Sequence, residues 1–212
     1  MKICSVSVGK DFCEKYSQKI KKYAPKNIEL IVLTDRPEYF NFCKTELYKD
    51  KIFSYFSKNT FTSKISKKYK TDVLYIDADS FHIVDESIYR NQFQTTYFLY
   101  DKLWPNFTHS EVNSLPKDLL DYYGISGNLK IENIHEKIFY LPYSQKINNL
   151  YKDLLVIKEI WDKETQTSEP KGNAKKYSKY GIGYGEGIPF SLSLMMNGII
   201  TKKYQFTKST II

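Results

Sequence analysis

The sequence predicts an α/β domain built on a parallel sheet, and three observations carry that prediction. An apolar run, a helical run and a second apolar run follow one another within the first 35 residues. That β-α-β order is what parallel strands joined by a right-handed crossover require. Val73-Leu74-Tyr75-Ile76 is apolar without alternation, the signature of a strand buried on both faces. Helical spacing recurs between the strand-like runs, at Phe12, Tyr16, Ile20 and Tyr23 and again at Phe61, Ile65 and Tyr69.

Taken in chain order, Ile3 to Val8 alternates apolar and small residues and meets Gly9, which predicts a strand and a turn. The first helix begins at Asp11, a candidate N-cap, and Pro25 stops it. Leu30-Ile31-Val32-Leu33 predicts a second strand, closed by Thr34-Asp35. Residues 36–59 are weakly patterned: Pro37 blocks one option, and Lys51-Ile52-Phe53-Ser54-Tyr55-Phe56 reads as a strand. A helix from Phe61 carries Lys64, Lys67 and Lys68 off its apolar face and breaks at Thr71-Asp72. The Val73–Ile76 strand follows and ends in Asp77-Ala78-Asp79. Thr96–Tyr100 and Ile138–Leu141 predict further strands, the second ended by Pro142. Between them lie turn residues and a short helix near Lys117–Tyr123. Ile147, Leu150, Tyr151, Leu154 and Leu155 mark a long helix reaching Trp161. Residues 162–187 read as a polar, Gly-rich loop. A last helix carries Ile188, Leu192, Met195 and Met196 and stops at Asn197-Gly198. No internal repeat and no second domain is visible, and 212 residues suit one domain.

Composition narrows the class. Nineteen Tyr and thirteen Phe supply a core and argue against intrinsic disorder. No apolar run is long enough to span a membrane. Met1-Lys2-Ile3-Cys4-Ser5 reads as a strand rather than a signal peptide. Cys4, Cys13 and Cys43 have no metal-ligand spacing, and their odd number argues against a disulfide framework. The expectation is a cytoplasmic enzyme with reduced thiols. The net charge of +8 suggests a polyanionic partner, such as nucleic acid, a membrane surface or nucleotide phosphates. Only Arg36 and Arg90 are Arg, however, and the remaining cations are Lys. Lys is a solvated point charge without the bidentate fork that reads bases, which argues against specific nucleic-acid recognition. Compositional bias in the gene would also produce such a Lys-rich surface.

The chemistry concentrates at Asp77-Ala78-Asp79. In open α/β sheets, ligands bind at the carboxyl ends of the strands. Two carboxylates one residue apart repel each other, and a hard divalent cation relieves that repulsion while keeping positions open for phosphate oxygens. An Asp-rich surface turn has the same residue types; the buried run ahead of it favours the metal reading.

From Lys70 to Ser80 the chain reads Lys-Thr-Asp-Val-Leu-Tyr-Ile-Asp-Ala-Asp-Ser. This stretch resembles the Asp-x-Asp segment of GT-A glycosyltransferases, nearest in pattern to family 8 and its relatives. The Lys2–Val8 and Leu30–Asp35 strands stand where that fold has them, so the likeness covers about the first 100 residues. It implies a mixed, mostly parallel sheet flanked by helices, with residues 1–100 as the nucleotide-sugar half and 101–212 as the acceptor half. It implies Mn²⁺ or Mg²⁺ held by Asp77 and Asp79, with Ala78 between them, on the diphosphate of a UDP- or GDP-sugar. By position it assigns Ser7, Val8, Gly9 and Asp35 to the base and ribose pocket and Lys64 to the nucleotide or its phosphates. The acceptor (glycan, lipid or protein) is not specified, and family 8 implies retention of configuration. That family takes a third metal ligand, a His, from its C-terminal region; here the His are His82, His109 and His135, none after the last long helix. His82 follows the motif closely, as ligand or as packing.

Gly181-Ile182-Gly183-Tyr184-Gly185-Glu186-Gly187 fits neither a Walker loop nor the dinucleotide fingerprint. Glu186 heads the last helix, where the dipole favours a carboxylate. Many GT-A enzymes place an acidic residue there facing the reacting sugar, so Glu186 is the catalytic candidate; a helix cap without chemistry fits the same position. Asp101 is a second acceptor-side carboxylate. Lys171, Lys175, Lys176 and Lys179 alternate with Tyr177 and Tyr180, as a basic flap over the donor phosphates or as a solvated loop. A haloacid-dehalogenase-type phosphatase also places Asp-x-Asp after an apolar strand, but its downstream acidic pair is missing here and two strands precede the motif. A nucleic-acid-binding or virion-associated module would use the Lys and Tyr of the surface, without a recognised motif.

Overall fold

The structure, a computed structural model, describes residues 1–51, 53–84, 88–89, 96–100, 109–111, 117–126, 130–132, 137–165 and 187–205. Four parallel strands form its first half: β1 (Lys2–Ser7), β2 (Leu30–Thr34), β3 (Lys44–Leu47) and β4 (Val73–Ile76). Helix α1 (Lys10–Tyr23) connects β1 to β2, and α2 (Ser57–Tyr69) precedes β4. Strand β5 (Thr96–Tyr100), a two-stranded ladder of β6 (His109–Glu111) and β7 (Lys130–Glu132), and the short α3 (Lys117–Tyr122) follow. Strand β8 (Ile138–Leu141), the long α4 (Ile147–Thr165), α5 (Gly187–Met196) and β9 (Thr201–Gln205) complete the described elements.

The main sheet has seven strands in the order β3-β2-β1-β4-β8-β5-β9. Strand β8 runs antiparallel to both β4 and β5, and β5 pairs β9 in parallel. The fold is therefore α/β with a mixed, mostly parallel sheet flanked by helices. Side chains alternate across each strand, and the core divides accordingly. One face gathers Cys4, Val6, Ile31, Tyr75 and Phe139 beneath Phe61 and Ile65 of α2, Leu150 and Trp161 of α4 and Phe190 of α5. The other gathers Ile3, Val32, Leu74, Ile76 and Tyr140 beneath Cys13 and Ile20 of α1, with Phe40 and Phe81 from two single-turn helices. Burial on both faces explains the unbroken apolar reading of β4, all four of whose residues are buried.

Several sequence expectations need correction. Asp11 does not cap α1; Gly9 does, at φ 92°, and no side chain bonds the first turn. Positive φ suits a residue without Cβ. Among the described residues of Lys51–Phe56 there is no strand: residues 55–56 turn directly into α2, which starts at Ser57 rather than Phe61. The strand of that region is β3, whose half-exposed Lys-Thr-Glu-Leu lies at the sheet edge and carries no apolar run. Strands β6, β7 and β9 are further additions. The stop at Asn197-Gly198 holds in detail: Gly198 has φ 63°, its N–H reaches the Met195 carbonyl at 2.9 Å, and the Ile199 N–H reaches Leu194 at 2.8 Å.

Candidate functional site

Strands β2, β1 and β4 end at one edge, and their register fixes what they present there. Ser7 is level with Thr34, and Cys4 is level with Tyr75. Gly9, Asp35 and the Asp77 turn thus leave the sheet from neighbouring strands. The Gly9 N–H donates to Asp35 Oδ1 at 2.9 Å, joining two of the residues assigned to the nucleotide pocket. Arg36 Nε stands 3.7 Å from Asp35 Oδ2.

Because β8 is antiparallel, its beginning meets the end of β4. The Asp77 N–H donates to the Lys137 carbonyl at 2.8 Å, one bond beyond the Ile76–Ile138 pair. The chain then turns, closed by the Ser80 N–H on the Asp77 carbonyl at 2.8 Å. Asp77 is half-buried, and the Tyr75 hydroxyl donates to its Oδ1 at 2.7 Å. Asp79 accepts from the Ser80 hydroxyl at 2.7 Å, and Lys137 Nζ lies 3.7 Å from its Oδ2. Burial pushes the Asp77 carboxyl above the usual carboxylate range; Lys58, the Tyr75 hydroxyl and Lys137 oppose this, and the Asp79 charge adds to it. Lys58 is an unusual cation, only 8% exposed, in the first turn of α2.

This donor set fits a hard divalent ion. Among the described residues Asp77 Oδ2 accepts no hydrogen bond, and a second carboxylate stands beside it. Oxygen-only ligands at adjacent positions suit Mg²⁺ or Mn²⁺. No group of three or more His, Cys, Asp or Glu among the described residues is gathered closely enough to hold a metal, so this pair has no third side chain beside it there.

The other sequence-assigned residues fall differently. Ser7 is fully buried, and its hydroxyl donates to Cys13 Sγ at 3.4 Å. Cys13 Sγ in turn donates to the Ser7 carbonyl and faces Thr34 Oγ1. Val8 is half-buried against the core, and Ala78 is buried beneath the turn. Lys64 does not face the aspartates: it is exposed and donates to Glu46 on β3. His82 is exposed and stands against the Tyr23 ring at 6.4 Å. Glu186, Asp101 and residues 171–179 lie outside the described residues.

Sequence reasoning missed Lys58 and Lys137. Lys58 sits before the first periodic apolar residue of α2, where no helix was expected. Lys137 arrives by antiparallel pairing from 60 residues away in the chain, which no local pattern reports. Tyr75 did carry a signal, since residues two apart on a strand share a face. Comparison with known proteins finds no matching family model and no matching curated protein. Among the described residues no helix is long and apolar enough to cross a membrane.

Proposed function

We propose that this chain is a glycosyltransferase of the GT-A type, moving a sugar from a nucleotide-diphosphate donor to an acceptor. The observation that carries the reading is the Asp77-Ala78-Asp79 turn at the carboxyl edge of β4, flanked by Lys58 and Lys137. Asp77 and Asp79 are the residues that would hold Mn²⁺ or Mg²⁺. When bound, the ion would neutralise charge on the diphosphate as the bond to the anomeric carbon breaks.

The chain's own groups divide the rest of the work. Asp35, fixed by the Gly9 N–H, is placed to accept from ribose hydroxyls. Lys58 balances the inner carboxylate and Lys137 the outer one. Tyr75 holds Asp77 in one orientation. Glu186 is assigned the charge beside the reacting carbon, and Asp101 a place on the acceptor side.

The test is donor hydrolysis and transfer with UDP- and GDP-sugars, with Mn²⁺ and with EDTA. Asp77→Asn and Asp79→Asn are each expected to lower turnover at least a hundredfold while circular dichroism stays unchanged. Full activity of both variants in EDTA would refute the metal site. Hydrolysis of p-nitrophenyl phosphate without turnover of any nucleotide sugar would instead favour the phosphatase reading.

A further inference from the structure

The core claims only one side of α1, where Cys13, Ser17 and Ile20 are buried. The flank next to that side, where half-buried Tyr16 reaches the core, is neither bare nor simply charged. Phe12, Tyr16, Lys19 and Tyr23 recur at intervals of four, three and four, so they form one stripe along the helix. Phe12 is 40% and Tyr23 41% exposed. The rings of Phe12 and Tyr16 touch, with centroids 4.5 Å apart. Lys15 and Lys19 lie over the Tyr16 ring at 5.1 and 5.6 Å, and Lys22 lies over Tyr23 at 5.0 Å. The helix carries five lysines against Asp11 and Glu14. Among the described residues none of the five is ion-paired.

We infer that this face is a docking surface for an anionic phospholipid bilayer. Charge complementarity selects the occupant: unpaired lysines beside exposed rings match a layer of acidic headgroups over an apolar interior. Aromatic rings settle at the headgroup level, and Lys stems lie along apolar surface while their ammonium groups reach phosphate. The stripe runs about 16 Å along the helix at 1.5 Å per residue. A single nucleic-acid strand is matched less well, because its binding sites are grooves with stacking platforms and this is the outside of one helix. Gly9, which caps α1, bonds Asp35, so the membrane-facing stripe begins beside the strand edge that carries Asp35. The inference does not depend on the transferase reading.

The experiment is sedimentation of the full chain with vesicles of phosphatidylcholine, with and without phosphatidylserine, across a salt series. Binding is expected only with phosphatidylserine and should weaken steeply as salt rises. Each lysine near an anionic surface is worth about fivefold in partitioning. The variant K15E/K19E/K22E should therefore lose far more than tenfold, and F12A/Y23A several-fold at unchanged charge. These positions are on the surface; should the triple variant fail to fold, F12A/Y23A and the wild-type salt series decide alone. The control K67E/K152E lies on helices covering the other face of the sheet and should keep its binding. Absence of binding to phosphatidylserine vesicles at low salt overturns the inference. So does equal loss in the control, or binding to single-stranded nucleic acid in preference to vesicles.

Discussion

Glu46 holds two lysines of α2 on the exposed edge of the sheet, Lys64 at 2.5 Å and Lys68 at 3.0 Å. Burial raises its carboxyl, but the hydrogen bonds and charges of Lys64 and Lys68 outweigh that and hold it below the usual range. A carboxyl depressed by folding adds stability above its unfolded pKa, about 4.3 for Glu, and loses it as pH falls through the folded value. Glu46→Gln should therefore melt below wild type at neutral pH, by no more than about 1 kcal/mol for so exposed a pair. The gap should close below about pH 4; a gap independent of pH would show that the pair contributes nothing. The same residue explains where Lys64 turns, toward β3. Helical spacing told which residues share the apolar face of α2, not which neighbour the polar side meets. Lys58 escaped notice because its burial depends on where α2 begins, and that start lacks a capping side chain.

Among the elements, α3, α4 and α5 are tied by one buried carboxylate. Asp153 on α4 is 9% exposed. It accepts from the Tyr123 hydroxyl at 2.6 Å, the Ser193 hydroxyl at 2.5 Å and the Asn197 amide at 2.9 Å, all on Oδ2. Removing it takes the acceptor from the buried Ser193 hydroxyl and the half-buried Tyr123 hydroxyl, while the Asn197 amide keeps the Ser193 carbonyl. Asp153→Ala should cost about 2–4 kcal/mol, since a buried donor left without its acceptor costs roughly 1–3 kcal/mol. Chemical denaturation would measure it, and a loss under about 1 kcal/mol would mean that water replaces the carboxylate. The elements legible in the sequence were those whose pattern lies within their own segment, namely β1, β2, β4, β5, β8, α1, α3, α4 and α5. Strand β3 was missed because an edge strand of Lys, Thr and Glu looks like a loop until its partner β2 is known. Residues 53–56 misled because Phe and Tyr favour strands, whereas here Phe56 anchors the start of α2 in the core.

At the scale of the whole molecule, the order β-α-β and the position of Asp77 were legible because both are local. A chain segment shows where a strand ends, and the edge at which it ends is where ligands gather. The seven-strand order was not legible, since β8 enters beside β4 from more than 60 residues away and reverses direction. That reversal brings Lys137 to the aspartates. The resulting edge carries a carboxylate pair with two lysines and, on the neighbouring strands, the Asp35–Gly9 contact. We propose that this edge binds a nucleoside diphosphate through a divalent ion. The direct measurement is the melting temperature of wild type and Asp77→Asn with UDP or GDP, with Mn²⁺ and with EDTA. A ligand held only by the native state stabilises it by mass action, about 2.7 kcal/mol at a hundredfold excess over Kd. That corresponds to a rise of roughly 5–10 °C for a chain of this length. That rise is expected for wild type with nucleotide and Mn²⁺ together, and its loss in EDTA and in Asp77→Asn. An unchanged melting temperature with both nucleotides in Mn²⁺, or an equal rise in Asp77→Asn, would contradict it.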